Sequence, residues 1–204
     1  MGVIVISTQR MGQCQVHTRS PPLVSVQDLR NIIFADKYDD KYKLGNLYDE
    51  VFDNIFIGGE PTALNENKLE ELGITHVLNA AMGTDGFSQV DTDEKSYKSG
   101  IIFYGIPALD MPSYKISKHF KEASNFIRRA VGSKKTGQRG GRIFVHCVAG
   151  ISRSATLVIA YLMTYQDTNL TDAVQMLRSK RKICPNLGFL QQLIDYAAKM
   201  DRCR

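Results

Sequence analysis

The segment from Arg142 to Tyr165 constrains the fold of this 204-residue chain more strongly than any other. Its first part, Arg142–His146, is an apolar run that predicts a buried strand, and Ser154–Tyr165 predicts a long helix. Only a short loop around Gly150 separates the two, so the strand leads directly into the helix. A buried strand joined to a helix in this way is typical of a parallel sheet that is covered by helices.

The rest of the chain alternates between strand and helix patterns in the same way. Further strands are predicted at Asn54–Gly58, Thr75–Asn79 and Ile101–Ile106. Further helices are predicted from Ser25 to about Phe34, at Asn65–Leu72, at Ser117–Val131, from a cap at Thr171 to about Lys180, and from a cap at Asn186 onwards. Residues 82–100 and 132–141 are predicted to be loops. We therefore expect an α/β fold with a mostly parallel central sheet flanked by helices on both faces.

The composition suits a globular protein. With 43% hydrophobic and 23% charged residues, the chain is unlike disordered or collagen-like proteins. Residues 1–22 lack periodicity and end in two prolines, so we expect a flexible leader before a single domain at residues 23–204. An acidic, tyrosine-rich linker is expected after the first helix, through Glu50. No apolar run approaches the roughly 20 residues that cross a bilayer, so we expect no membrane partner.

The four cysteines argue against a zinc module and against a disulfide framework. Cys14, Cys147, Cys184 and Cys203 form no CxxC pair, and their spacing is too wide for a zinc module. So few cysteines in a chain of this length are typical of a reduced, intracellular protein, which predicts a cytoplasmic or nuclear location. Whether Cys184 or Cys14 can pair with Cys147 after oxidation stays open, as does the oligomeric state.

Charge is unevenly distributed along the chain. Residues 36–71 carry ten acidic side chains and four lysines, a balance of −6, whereas residues 134–182 carry nine Lys or Arg and two aspartates, a balance of +7. The formal net charge of the whole chain is only +5. The basic part therefore predicts an anionic partner, and it contains the loop that follows the strand at Arg142–His146.

That loop, residues 147–153, is called the anion loop below, because its composition suits an oxyanion. It lies between a strand and a helix N-terminus, where backbone N–H groups and the helix dipole attract negative charge. Gly150 permits a tight turn, so that successive amides can surround a tetrahedral oxyanion, and Arg153 offers two parallel donors to it. The predicted substrate-binding residues are Val148, Ala149, Gly150, Ile151, Ser152 and Arg153.

A thiol at the start of the anion loop has the surroundings of a nucleophile. Beside Arg153 and a helix N-terminus, the pKa of Cys147 is expected to fall from about 8.5 to roughly 3.5–7.5, which makes it a thiolate at neutral pH. Ser154 can donate a hydrogen bond to the sulfur and make it a better leaving group. The alternative is an inert, buried cysteine, which is the more common role of a lone cysteine after a strand.

The spacing of the whole segment favours the catalytic interpretation. His146, Cys147, Gly150, Arg153 and Ser154 follow the pattern H-C-x-x-G-x-x-R-S between a predicted strand and a predicted helix. This pattern resembles the signature of cysteine-dependent protein phosphatases.

Longer matches extend the resemblance from about residue 24 to about residue 200. The segments VSVQDL, GITHVLNAA, HCVAGISRSATLVIAYLM and ICPNLGFLQQL resemble the small atypical dual-specificity phosphatases of the vaccinia-related (VHR) type. The resemblance implies the dual-specificity phosphatase fold. It also implies a metal-independent hydrolase of phosphorylated proteins that needs no cofactor.

The resemblance assigns roles to three residues outside the anion loop. In this family an aspartate on the loop after the preceding strand protonates the leaving oxygen, and the match YGIPALDMPSY gives this role to Asp110. Arg181 is expected near the pocket mouth, where it contacts a second substrate phosphate. A solvated helix end is the alternative for the basic run around it, residues 178–182. His146 is expected to orient the anion loop rather than to act as a base.

The side chains within the anion loop narrow the substrate class. Related phosphoinositide phosphatases tend to carry lysines here, whereas Val148, Ala149, Ile151 and Ser152 are uncharged. The resemblance implies hydrolysis of phosphotyrosine and phosphothreonine or phosphoserine through a phosphocysteine, on partners such as MAP kinases and without a nucleic-acid partner. Two alternatives are a phosphoprotein-binding scaffold without turnover and an RNA 5′-phosphatase or lipid phosphatase.

Overall fold

A computed structural model describes residues 24–35, 47–97, 100–133 and 137–202. The described helices are α1 (Val26–Ile33), α2 (Glu60–Ala63), α3 (Glu66–Glu71), α4 (Phe120–Val131), α5 (Arg153–Tyr165), α6 (Leu170–Lys180) and α7 (Leu187–Arg202). The described strands are β1 (Tyr48–Phe52), β2 (Ile55–Gly58), β3 (Ile74–Asn79), β4 (Ile102–Gly105), β5 (Gly132–Ser133), β6 (Gln138–Arg139) and β7 (Arg142–His146). The expected flexible leader, residues 1–22, lies outside the described residues.

Five of these strands form one sheet in the order β1–β2–β7–β3–β4. β2, β7, β3 and β4 are parallel, and β1 pairs antiparallel to β2 at the edge. The pairing aligns Gly58 of β2 and Asn79 of β3 with His146 of β7. The carboxyl ends of three strands therefore meet where the anion loop begins, which is the edge at which such sheets bind ligands. The predicted mostly parallel α/β fold is confirmed.

Side chains of the central strand belong to two apolar layers. Ile143 and Val145 pack in a large layer with α1 and α4–α7, and Phe144 packs in a smaller layer with α2 and α3. Because both faces of the sheet are covered, the three middle residues of β7, Ile143 to Val145, are all apolar instead of alternating with polar residues. Within α5, every residue from Arg153 to Met163 is buried, since this helix contacts the sheet and three other helices. The large layer thus holds the start of α5, and with it the anion loop, in place.

The structure contains short elements that the sequence did not predict. β1 begins in the segment expected to be a linker through Glu50, of which residues 36–46 lie outside the described residues. The acidic side chains of β1 face cations: Asp49 pairs with Arg181 at 2.6 Å and Glu50 with Arg142 at 3.6 Å. α2 has four residues, too few for an apolar period to show. β5 and β6 form a small antiparallel pair inside the expected loop at residues 132–141.

The ends of the predicted helices are close to those observed, with two corrections. The cap of α6 is Asn169, whose side chain accepts a hydrogen bond from the backbone N–H three residues on, so Thr171 lies inside the first turn. The helix predicted at Ser117–Val131 begins as a 3₁₀ turn and becomes α-helical only at Phe120. Among the described residues, no helix combines the length and the apolarity that crossing a bilayer requires.

Candidate active site

The anion loop is held open by hydrogen bonds to its carbonyl groups. Four successive carbonyl oxygens accept from donors outside the loop: Val148 from Glu60 N (2.9 Å), Ala149 from Arg181 Nη2 (3.2 Å), Gly150 from Arg181 Nε (2.8 Å) and Ile151 from Cys184 N (2.9 Å). Because a trans peptide is planar, the N–H that follows each outward carbonyl points the opposite way. The amides of residues 149–152 therefore face the inside of the loop, next to the N-terminus of α5, where they suit an oxyanion.

Gly150 is required by the path of this loop. Its φ is +68°, in the left-handed region. A Cβ at this position would lie 2.3 Å from the carbonyl oxygen of Gly58 and 2.8 Å from Arg181 Nη2. Both the backbone conformation and the close approach of β2 therefore exclude a side chain here.

We expect Gly150→Ala to distort the anion loop. The left-handed conformation alone costs about 1–2 kcal/mol for a non-glycine residue, and the contact with Gly58 adds to that. Relief of this contact would displace the loop amides, so calorimetry with orthovanadate, a tetrahedral oxyanion, should show affinity at least about 10-fold weaker, which corresponds to about 1.4 kcal/mol of binding free energy. Gly137→Ala is the matched control, because Gly137 also has φ +68° but nothing within 4 Å of its Cβ position. Equal orthovanadate affinity in both variants would contradict this view of the loop.

Cys147 lies at the base of the anion loop, 2% exposed. Burial raises the pKa of its thiol, but the positive charge of Arg153 and the hydrogen bonds from Ser154 and from the Ile151 amide lower it by more. The net pKa is therefore below the ordinary thiol value. Ser154 Oγ lies 3.4 Å from the sulfur, a distance at which its hydroxyl can donate to a thiolate.

Arg153 is 3% exposed and fixed at one end of its guanidinium. Its Nη1 donates to the carbonyl oxygens of Ser88 (2.6 Å) and Ala108 (3.0 Å). Its buried Nε has no hydrogen-bond acceptor among the described residues, and the closest carboxylate oxygen, Oδ2 of Asp110, is 3.6 Å away. Because the guanidinium is oriented and its Nε–H is available, it can donate a hydrogen bond to an oxyanion in the loop.

Asp110 is held against the anion loop. Its Oδ1 accepts hydrogen bonds from Ser152 Oγ (2.7 Å) and from Asn186 Nδ2 (2.8 Å). About a third of its side chain is exposed, so the carboxyl group can also be reached from solvent. The hydroxyl of Ser152, predicted as part of the substrate-binding loop, thus serves to dock Asp110. The structure therefore brings Asp110, Cys147, Arg153 and Ser154 together at one edge of the sheet.

Asn186 is a site residue that sequence reasoning missed. It was predicted only as the cap of α7, and it does cap this helix, with Oδ1 accepting from Phe189 N at 3.0 Å. Its Nδ2 also donates to Asp110, and its backbone N–H donates to Ser152 Oγ at 3.3 Å. Because capping explains an asparagine at this position completely, the sequence carries no signal of the second role.

Arg181 is buried beside the anion loop. It is 6% exposed, donates to the carbonyls of Ala149 and Gly150 and pairs with Asp49. Its guanidinium therefore supports the loop backbone, a role that the sequence did not predict, and the expected contact with a second substrate phosphate stays a prediction. Asp49, its carboxylate partner, was not predicted as a site residue.

The basic run at residues 178–182 does not act as one patch. Arg178 donates to the carbonyl oxygen of Ile33 at the end of α1, and Arg181 supports the anion loop. Lys180 and Lys182 are exposed. The alternative of a solvated helix end therefore fits these two lysines.

His146 is fully buried where β7 meets the anion loop. Burial lowers the pKa of its ring to about 4, so it is neutral at pH 7. The ring stacks on Phe144, with 5.9 Å between the ring centroids, and the carbonyl oxygen accepts from Ala80 N at 2.7 Å. A neutral, buried ring suits the predicted role of support better than that of a base.

Comparison with known proteins agrees with this geometry. A family model described as "Dual specificity phosphatase, catalytic domain" matches residues 55–199. Dual specificity protein phosphatase 26 of Bos taurus is 40% identical over 174 residues, covering 85% of this chain and 75% of the relative. Dual specificity protein phosphatase 13B of Homo sapiens is 44% identical over 149 residues, covering 72% and 71%.

A solved structure shares the fold as well. The crystal structure of human DUSP28 superposes with a TM-score of 0.64 at 27% identity, covering 76% of this chain and 95% of that one. The family match spans most of the sheet, the anion loop and α5–α7. The chain therefore belongs to the dual specificity phosphatase family and is a dual-specificity protein phosphatase.

Proposed function

We propose that this phosphatase hydrolyses phosphotyrosine and phosphothreonine or phosphoserine in proteins through a phosphocysteine on Cys147. The observation that carries the proposal is a thiol of lowered pKa at the base of a loop whose amides turn inward. A thiolate is the nucleophilic form of cysteine, and the amides and Arg153 supply donors for the oxygens of the transferring group.

In the first step, the thiolate of Cys147 attacks phosphorus, so that a sulfur–phosphorus bond forms and the ester oxygen–phosphorus bond breaks. Protonated Asp110 gives its proton to the leaving oxygen. Arg153 and the loop amides hold the three remaining phosphoryl oxygens. Tight docking of Asp110 on Ser152 and Asn186 supports this role, because it fixes the acid beside the loop.

In the second step, water attacks the phosphocysteine. The carboxylate of Asp110 takes a proton from the water, an oxygen–phosphorus bond forms, and the sulfur–phosphorus bond breaks to regenerate the thiolate and release phosphate. Ser154, 3.4 Å from the sulfur, stabilises the departing thiolate. Cys147 and Arg153 are both placed for turnover, which favours an enzyme over a binding scaffold.

The side chains of the anion loop favour a protein substrate. Val148, Ala149 and Ile151 are uncharged and partly or fully exposed, so they offer no cation to match additional phosphates on an inositol ring or an RNA end. The proposal has three further parts. The partners include signalling kinases such as MAP kinases. The protein is cytoplasmic or nuclear, and a single catalytic domain at residues 23–204 follows a leader.

The substrate class is tested by parallel rate measurements in EDTA. We expect kcat/KM on phosphotyrosine and phosphothreonine peptides to exceed that on phosphoinositides and on RNA 5′-ends by about 10²-fold or more, because the extra charges of the latter meet no cations in the loop. Comparable rates on a phosphoinositide or an RNA end would contradict the protein assignment. Loss of all activity in EDTA would contradict a metal-independent reaction.

A further inference from the structure

Three exposed apolar side chains lie on the segments that hold Arg153 and Asp110. Phe87 is 92% exposed, Met111 51% and Leu187 53%. Each is the chain neighbour of a residue in the site, and consecutive Cα atoms are only about 3.8 Å apart. Three separate stretches of backbone thus bring a large apolar side chain to the surroundings of the pocket.

The contacts of the neighbouring residues fix these positions. Ser88, next to Phe87, accepts from Arg153 Nη1 at 2.6 Å through its carbonyl oxygen. Met111 follows Asp110 directly, and Leu187 follows Asn186, whose Nδ2 lies 2.8 Å from Asp110 Oδ1. None of the three segments can move away without breaking a hydrogen bond of the site.

The turn that carries Phe87 is firmly organised. The carboxylate of Asp85 accepts from the backbone N–H groups of Phe87 (3.0 Å), Ser88 (2.9 Å) and Gln89 (2.9 Å), and also from the hydroxyl of Ser88. The backbone of Phe87 is therefore fixed in two ways. Asp85 accepts its N–H, and Arg153 binds the carbonyl oxygen of the next residue, Ser88. The turn therefore presents the exposed ring of Phe87 to solvent from a fixed backbone position.

The proposed reaction indicates what binds to the surface around Phe87, Met111 and Leu187. A protein substrate must lay its backbone across the pocket mouth to bring a phosphorylated side chain to Cys147, so the residues on either side of it pass over the surrounding surface. Val148 and Ile151 of the anion loop are uncharged and partly exposed, so these loop side chains present no charge to the residues that flank the phosphorylated side chain.

We propose that Phe87, Met111 and Leu187, called the apolar rim below, bind apolar side chains that flank the phosphorylated residue of a protein substrate. The preference is for Leu, Ile, Val, Met or Phe within two residues of the phosphorylated position. This inference rests on the proposed function, because it needs turnover of phosphopeptides at Cys147.

The test compares two phosphotyrosine peptides of equal length and charge. One carries Leu at the two positions on either side of the phosphotyrosine, and the other carries Ser there. We expect the wild-type protein to show kcat/KM about 10-fold or more higher for the Leu peptide. Phe87→Ala should reduce this ratio severalfold, and Phe87→Ala combined with Met111→Ala should bring it close to one. The ratio of the two kcat/KM values does not change when a substitution impairs folding or the pocket itself, because both peptides use the same pocket.

Ile102→Ala is the matched control. Ile102 is 55% exposed, close to the exposure of Met111, but it is the first residue of β4, at the amino end of a strand whose carboxyl end faces the site. Its replacement should leave the peptide ratio at the wild-type value.

The outcomes separate the two proposals. Equal kcat/KM for both peptides in the wild-type protein, or a ratio that Phe87→Ala leaves unchanged, overturns the apolar rim while phosphopeptide turnover supports the proposed function. Failure to hydrolyse either peptide overturns both.

Sedimentation velocity tests a second copy of the chain as occupant. A dimer that Phe87→Ala dissociates, without a change in the peptide ratio, also overturns the rim as a substrate surface.

Discussion

Cys147→Ser is expected to reduce kcat/KM on every phosphorylated substrate by on the order of 10⁴-fold or more. A serine hydroxyl is close in size to the thiol but does not ionise near neutral pH, so the attacking anion is lost while the packing is kept. Its melting temperature should stay close to that of the wild type, since Ser154 remains as a hydrogen-bond partner for the new hydroxyl. Kinetics on an aryl phosphate in EDTA and a thermal melt together give both readouts.

Cys184→Ser is the matched control. The thiol of Cys184 is exposed, and the contact of this residue with the anion loop comes from its backbone N–H, which the substitution keeps. Activity close to wild type is expected. Equal losses in the two variants, or persistent activity of Cys147→Ser, would exclude Cys147 as the nucleophile.

The lowered pKa of Cys147 also predicts how its reactivity depends on pH. Because the thiolate is the reactive form of a cysteine, the rate at which iodoacetamide alkylates Cys147, followed by mass spectrometry of its peptide, should rise as the pH increases through the pKa of this thiol and level off above it. Since the pKa is lowered, the midpoint of this rise should lie at a lower pH than that of free cysteine alkylated alongside. A midpoint at or above that of free cysteine would show that the thiol is not activated in the folded protein.

Asp110→Asn is expected to reduce kcat/KM by about 10²–10⁴-fold on phosphothreonine peptides. An asparagine has nearly the same shape and can still accept from Ser152, but it has no proton to give to a leaving alkoxide. The loss should be smaller on p-nitrophenyl phosphate, because its leaving group is stable as an anion and needs less help. KM should change little, since the loop amides and Arg153 stay in place.

Asp201→Asn is the control, because Asp201 is an exposed carboxylate at the far end of α7. It should leave the kinetics unchanged. An Asp110→Asn variant with wild-type kcat/KM on the peptide, or with equal losses of kcat/KM on both substrates, would place the general acid elsewhere.

The centre of the fold was predictable because its sequence signals are local and strong. β7 and α5 are both apolar and are separated by one short loop, so strand, turn and helix can be recognised without knowledge of the rest of the chain. β1 was missed for the opposite reason. Its acidic side chains are typical of a solvated linker. Their partners, Arg181 and Arg142, are more than 90 positions away in the chain, so only the fold shows that these acidic residues form ion pairs.

The candidate site was predictable to a similar extent. The anion loop and its flanking residues could be recognised because the pattern H-C-x-x-G-x-x-R-S falls within nine residues, His146 to Ser154, at fixed spacing. Asp110 needed the family resemblance, since an aspartate on a loop has no distinctive local pattern.

Long-range supports could not be predicted from local patterns. Asn186 donates a hydrogen bond to Asp110, which is 76 positions away in the chain. Arg181 donates to two carbonyl groups of the anion loop, which are about 31 positions away. Only the folded chain shows that a helix cap and a residue of a basic run both help to organise the site.

In the proposed reaction phosphate passes through a covalent bond to Cys147, and isolating that bond is the most direct test of the mechanism. The protein would be mixed with excess phosphopeptide, quenched in acid during turnover, digested, and analysed by mass spectrometry. We predict one phosphate on the peptide that contains Cys147, placed on its sulfur, and none on the same peptide from Cys147→Ser. Turnover without a phosphopeptide containing residue 147, or phosphate on another side chain, would contradict the account.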